Sequence, residues 1–63
     1  MAHWRPAAAQ TIKVADLIEN TFSIEEHDPD FARVFRHEKE QLLSVLTKAD
    51  AFLLERAKRQ NNI

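Results

Sequence analysis

Residues 28–60 read DPDFARVFRHEKEQLLSVLTKADAFLLERAKRQ, and this stretch decides the fold. After Pro29 it contains neither proline nor glycine. Asp28 suits a helix N-cap, because a residue before proline avoids helical dihedrals, and Pro29 suits the first helical position. The pattern therefore predicts one long helix over about 29–60 with an apolar stripe along one side. The stripe consists of Phe31, Val34, Phe35, Leu42, Val45, Leu46, Ala49, Phe52, Leu53 and Ala57.

A second, shorter helical pattern precedes this helix. Pro6 can occupy a first helical turn, and the alanines that follow it favour helix. We expect an extended arm over 1–6, a helix over about 7–21 and a linker over about 22–28. The chain is then a single all-α domain, a helical hairpin with an N-terminal arm. The side of the first helix predicted to be buried consists of Ala8, Thr11, Val14, Ala15, Ile18 and Phe22.

The composition excludes several classes of protein. The chain has 63 residues, which allows one domain, and no cysteine, which excludes disulfide and thiolate-zinc frameworks. Without glycine, a phosphate-cradling loop is not expected. No run of eighteen apolar residues indicates a membrane span. The net charge of −1 divides into −4 over residues 1–30 and +3 over residues 31–63, which indicates two segments that attract each other or complementary partners. A nucleic-acid binder would normally show a basic excess over the whole domain.

The polar residues do not form a recognisable reactive site. His3, His27 and His37 lie far apart in the sequence, so the ligands of a metal site do not converge. Ser23 and His27 are four residues apart, but a chain this small does not enclose a substrate pocket. We therefore expect no catalytic residue, cofactor, metal or small-molecule substrate.

The two predicted helices differ greatly in length, at roughly 20 Å and roughly 45–48 Å. Folded back as a hairpin, the first would cover less than half of the second. The expected uncovered stripe includes Ala49, Phe52, Leu53 and Ala57, and an exposed stripe of that kind marks an interaction site. We therefore predict that partner proteins complete the fold.

Two charged residues fall within the apolar stripe. Glu38 lies between Phe35 and Leu42, and Arg56 lies beside Phe52. Each side chain either bends to the rim and stays in water or pairs with an opposite charge on a partner. Both are therefore candidate partner-binding residues.

The arm contains Trp4, the one large aromatic residue outside the helical stripes. Burying its ring would contribute a few kcal/mol, up to roughly 4–6 kcal/mol by area. Trp4 either docks on a partner, with Arg5 forming charge-assisted bonds at the rim of that contact, or folds back on its own helix.

The opening residues MAHWRPA, followed by Ile12 and Lys13, resemble the start of the epsilon-subunit family of mitochondrial ATP synthase. Trp4, Arg5 and Ala7 match the family's motif of Trp-Arg, one variable residue and Ala. Ile12 and Lys13 match looser apolar and basic positions, and the resemblance covers about the first eighteen residues. The family usually has glycine at position 8 and often tyrosine at position 11, where this chain has alanine and threonine.

The resemblance implies a non-catalytic subunit at the foot of the central stalk, packed on the gamma and delta subunits. It implies a location on the matrix side of the mitochondrial inner membrane, and the acid-poor, alanine-rich first fifteen residues are typical of mitochondrial targeting segments. It also implies that Trp4 and Arg5 are docking residues and that the long second helix is a lineage-specific extension.

Two other functions fit the same sequence. One is a soluble homo-oligomeric helical hairpin with an interaction or regulatory role, and the other is a supernumerary subunit of a different mitochondrial complex. All three functions depend on protein binding, without nucleic acid. The candidate partner-binding residues are Trp4, Arg5, Ala7, Ile12, Glu38, Ala49, Phe52, Leu53 and Arg56.

Overall fold

Three helices form the chain in a computed structural model, which describes residues 6–61. Helix α1 spans Ala7–His27, α2 spans Pro29–Val45 and α3 spans Ala51–Gln60, and residues 6–61 contain no strand. The all-helical prediction is confirmed. The hairpin is replaced by three helices, and residues 1–5 of the predicted arm lie outside the described residues.

The junction between α1 and α2 is a single residue, Asp28. Its dihedrals, φ −150° and ψ 74°, are not helical, and its Oδ1 accepts a hydrogen bond from the backbone N–H of Phe31 at 3.1 Å. The predicted N-cap, followed by Pro29, is therefore confirmed. The predicted linker over 22–28 is wrong, because α1 continues to His27 through residues that include no proline or glycine.

The predicted helix over 29–60 is wrong, because it breaks after Val45 and resumes at Ala51. Leu46 leaves the helical region with φ −87° and ψ 49°. Asp50 then caps α3, where its Oδ1 accepts a hydrogen bond from the backbone N–H of Leu53 at 3.0 Å. The break reverses the chain direction without proline or glycine.

Side chains of α1 satisfy the backbone groups that this break releases. Gln10 Oε1 accepts a hydrogen bond from the backbone N–H of Lys48 at 2.8 Å. Thr11 Oγ1 accepts one from the backbone N–H of Asp50 at 2.9 Å. These two bonds give both N–H groups partners within the protein, so the break is compatible with a folded chain.

The core lies where α2 and α3 pack on α1. Helix α1 is about 31 Å long, enough to contact both α2, at about 25 Å, and α3, at about 15 Å. Ala49 and Ala57 are 7% and 0% exposed, so the prediction that they lie uncovered is wrong. The broken helix instead shares one core built from Val14, Leu17, Ile18, Leu43, Leu46, Ala49 and Ala57.

The buried side of α1 also differs from the predicted one. Val14 and Ile18 face the core as expected, but Ala8, Ala15 and Phe22 are exposed. Three other residues of α1 are buried instead: Gln10, Leu17 and Thr21. Two of them are polar, because α1 supplies hydrogen bonds as well as apolar contacts to α2, α3 and the break between them.

Candidate protein-interaction surface

Helix α2 carries an apolar surface that the other two helices leave open. Phe31, Val34 and Val45 are 44%, 51% and 66% exposed. Phe35 and Leu42 lie between them and are half-buried against the core. Residues three and four positions apart share one side of a helix, so these side chains form a continuous row. We call this row the α2 strip, which consists of Phe31, Val34, Phe35, Glu38, Leu42 and Val45.

One charged residue, Glu38, lies in the middle of the α2 strip. Its side chain is exposed, and the residues three and four positions away on either side are uncharged. Within residues 6–61, Glu38 takes part in none of the ion pairs, which join Lys13 to Asp16, Arg36 to Glu25 and Arg59 to Glu55. The strip therefore combines apolar area with one unneutralised carboxylate.

A second exposed apolar residue, Phe52, lies on α3. It is 73% exposed and borders a groove of about 330 Å³, which Glu55, Arg56 and Arg59 also line. Arg59 Nε lies 3.4 Å from Glu55 Oε1, and both side chains are well exposed. This surface is more charged than the α2 strip, and one aromatic residue, Phe52, is its only strongly exposed apolar side chain among those that line the groove.

The candidate residues predicted from the N-terminal half fall into two groups. Ala7 and Ile12 lie on the outer surface of α1, where Ile12 is 71% exposed. Trp4 and Arg5 lie outside the described residues. The structure therefore leaves Ala7 and Ile12 accessible to a partner.

The candidates predicted from the C-terminal half are not brought together. Glu38 lies on the α2 strip, whereas Phe52 and Arg56 lie on α3. Leu53 is half-buried and Ala49 is buried in the core, because the break after Val45 turns Ala49 inwards. Ala49 is therefore unavailable to a partner while the three helices stay packed.

A buried lysine connects all three helices. Lys39 of α2 is fully buried, and its Nζ donates hydrogen bonds to Thr21 Oγ1 of α1 at 2.8 Å and to Gln60 Oε1 of α3 at 2.7 Å. Burial lowers the pKa of Lys39 from 10.5 to about 8; the carboxylate of Glu25 opposes this shift and Arg36 adds to it. This cation belongs to the interior and is not offered to a ligand.

A salt bridge lies beside this lysine and joins α1 to α2. Arg36 Nη2 lies 2.5 Å from Glu25 Oε2, and its Nε donates to the same oxygen at 3.0 Å. Both side chains are about a third exposed, at 33% and 28%. Because Arg36 is engaged here, it does not contribute a cation to the α2 strip.

The other polar groups do not assemble a reactive centre within residues 6–61. His27 Nδ1 lies 2.9 Å from the carbonyl oxygen of Ser23, and His37 Nε2 lies 3.3 Å from Gln41 Nε2. No three metal-ligating side chains of these residues gather at one point. A cleft of about 380 Å³ between α2 and α3 has a mixed polar and apolar lining, from Glu40, Leu43, Ser44, Lys58 and Asn61.

The exposed apolar residues of the α2 strip are not among the residues predicted to bind a partner. Phe31, Val34 and Val45 were assigned to the same stripe as Leu46. The angular position of each residue around the helix axis could have separated the two sides of the stripe. Ala32 and Leu43 lie on the core side of α2, and the three exposed residues point away from that side.

No helix within residues 6–61 combines the length and the apolar character needed to cross a membrane. No protein-family model, curated protein or solved structure matches the chain. The resemblance of the first eighteen residues to the epsilon-subunit family therefore stays a prediction from sequence.

Proposed function

We propose that this chain is a non-catalytic subunit that docks on another protein through the α2 strip. The observation that carries the proposal is the exposure of Phe31, Val34 and Val45 in one row on a bundle that already has its own core. Contiguous exposed apolar side chains of this kind mark interaction surfaces. Phe31 would act as an aromatic anchor at one end of the contact.

The free energy of burying apolar side chains favours docking through the strip. A 63-residue chain has little stability to spare, so covering the strip would add to it. Each fully covered valine or phenylalanine contributes about 1.5–3 kcal/mol relative to exposure in water. The bound state would therefore be more stable than the isolated bundle.

The narrower proposal is a subunit of the central stalk of mitochondrial ATP synthase, on the matrix side of the inner membrane. It is supported by the match of Trp4, Arg5 and Ala7 to the epsilon-subunit family and by the exposure of Ala7 and Ile12 on α1. The expected partners are the gamma and delta subunits. In that assembly α1 and the α2 strip would offer two contact surfaces on one small chain.

Site-specific photo-crosslinking in cells that make this protein tests both docking through the α2 strip and the narrower assignment to the central stalk. A photoreactive amino acid replaces Val34 on the strip or, as the control, Glu19 on the outer side of α1, which is also exposed. We expect the probe at position 34 to give one discrete adduct that the probe at position 19 does not give. Equal labelling from both positions, or none, would contradict docking through the strip.

The mass of the adduct separates the narrower functions. A gamma or delta subunit supports the stalk assignment. A second copy of this chain supports the homo-oligomer, and a subunit of another mitochondrial complex supports the supernumerary role. Either of these last two results would overturn the stalk assignment.

A further inference from the structure

We infer that the α2 strip binds an amphipathic helix of a different chain, which places an arginine or lysine opposite Glu38. This inference rests on the proposed docking function and specifies the chemistry of the partner. The juxtaposition that carries it is one exposed carboxylate in the centre of an apolar row on a helix, with no counter-ion from residues 6–61.

Any helix that lies along the whole strip must contact the carboxylate of Glu38. Glu38 is seven residues from Phe31 and seven residues from Val45, which is about two helical turns in each direction. A partner that covers both ends must also cover the middle. Taking an unpaired carboxylate out of water is costly, and a facing cation with good geometry offsets that cost.

Residues 6–61 do not supply this cation. Val34, Phe35, Gln41 and Leu42 occupy the positions three and four residues from Glu38, and none of them is charged. Arg36, the nearest arginine in sequence, lies on the other side of α2 and pairs with Glu25. The carboxylate is therefore free to select a partner by charge.

A second copy of this chain that docked strip to strip would not supply the cation either. Its strip would bring another Glu38 and five uncharged side chains of three kinds, phenylalanine, valine and leucine, so neither strip supplies a counter-ion to the carboxylate of the other. A twofold contact centred on Glu38 would place two like charges together, which is destabilising. The strip therefore favours a partner with a different sequence over a second copy that docks strip to strip.

The geometry also sets the form of the partner segment. The row from Phe31 to Val45 is about 21 Å long, so the partner helix needs about four turns. Its apolar residues would recur three and four positions apart, with the cation near the middle. Arginine suits this place better than lysine, because its planar group can form two bonds to one carboxylate. A single polar residue within an apolar helix seam is also an established way to fix register and partner choice.

The test uses the whole chain and two designed helical peptides that share one leucine-rich face and differ only at the central residue, arginine or glutamate. Fluorescence anisotropy measures the affinity of each peptide for the parent chain, for Glu38→Arg and for Glu40→Arg. Glu40 is an exposed acid on another side of α2, so its substitution makes the same change in net charge off the strip. Circular dichroism checks that each variant remains helical.

We expect the arginine peptide to bind the parent chain at least about tenfold more tightly than the glutamate peptide. Glu38→Arg should reverse this order, and Glu40→Arg should keep it. Equal affinities of the two peptides, or an order that survives Glu38→Arg, would overturn the inference. A parent chain that sediments as a dimer, and that Val34→Asp converts to a monomer, would also overturn it, since the second copy would then be the occupant.

A further variant separates the failure of this inference from the failure of the proposed function. If Val34→Asp weakens both peptides equally while neither is preferred, the strip docks helices but Glu38 does not select them. If neither peptide binds the parent chain, the inference and docking of helices through the strip both fail.

Discussion

The side-chain oxygen of Gln10 in α1 accepts a hydrogen bond from the backbone N–H of Lys48, in the break between α2 and α3, at 2.8 Å. These residues are 38 positions apart in sequence. Gln10 is buried, and the bond compensates a backbone donor that the continuous helix would have satisfied internally. A single polar side chain of α1 thus helps to convert one long helix into two shorter ones that pack on α1.

Replacing Gln10 by alanine should lower the free energy of unfolding by about 1–2 kcal/mol, because the N–H of Lys48 then loses its acceptor. Urea unfolding followed by circular dichroism measures the change. Gln10→Glu retains an acceptor oxygen and should restore part of the loss. Gln41→Ala, at an exposed position, is the control and should change stability by less than about 0.5 kcal/mol. Equal effects of Gln10→Ala and Gln41→Ala would contradict the role of this bond.

Leu46 and Val45 are neighbours in sequence with opposite environments, at 1% and 66% exposed. Leu46→Ala should cost about 2–4 kcal/mol, since it leaves a cavity in the core. Val45→Ala should change the free energy of unfolding by about 0.5 kcal/mol or less. Thermal melts of the two variants make the comparison. Similar losses for both would indicate that the chain does not break after Val45.

The buried lysine predicts an unusual dependence of stability on pH. The pKa of Lys39 is about 8 in the folded chain against 10.5 when unfolded, so between these values the unfolded chain binds more protons. The free energy of unfolding should therefore rise as pH increases from about 8 to 10.5, by up to about 3 kcal/mol from this group. Well below pH 8 the lysine is charged in both states and contributes no slope.

Lys39→Met should remove this rise, while Lys58→Met, at an exposed lysine of α3, should preserve it. The pH dependence of chemical unfolding measures both. Stability that falls steadily across this range in the parent chain, or an unchanged rise in Lys39→Met, would assign the effect to other groups.

The N-terminal resemblance makes its own prediction. Trp4→Ala should reduce incorporation of the chain into its native assembly by roughly tenfold or more, because a covered tryptophan contributes a few kcal/mol. The helical content of the isolated chain should barely change. Quantitative co-purification of tagged chains, with His3→Ala as the control, compares the variants. Equal recovery of Trp4→Ala and parent would argue against a docking role.

Local signals predicted part of the fold. Asp28 followed by Pro29 marks a helix start through short-range chemistry, and the structure confirms it. The break after Val45 depends on hydrogen bonds to Gln10 and Thr11, which lie far away in the sequence. The pattern of residues within 29–60 therefore does not predict it. Asp50 alone is a possible cap, but a helix of good helix formers would continue through it without those partners.

The same distinction applies to the candidate surface. The period of the apolar residues placed Glu38 within a stripe, but the stripe was wide enough to contain both core and surface positions. Only the packing of α1 and α3 decides that Leu46 turns inwards while Val34 stays exposed. Lys39 was also beyond sequence reasoning, since a lysine is rarely buried unless hydrogen-bond acceptors such as Thr21 and Gln60 surround it.

Hydroxyl-radical footprinting of Phe31 tests most directly whether the α2 strip docks on another protein. The isolated chain and the chain in its native assembly are labelled under the same conditions, and mass spectrometry measures oxidation of Phe31 relative to buried Leu46. We predict that Phe31 is oxidised in the isolated chain and protected in the assembly, while Leu46 is protected in both. Equal oxidation of Phe31 in the two samples would show that the strip remains uncovered and would contradict the proposed function.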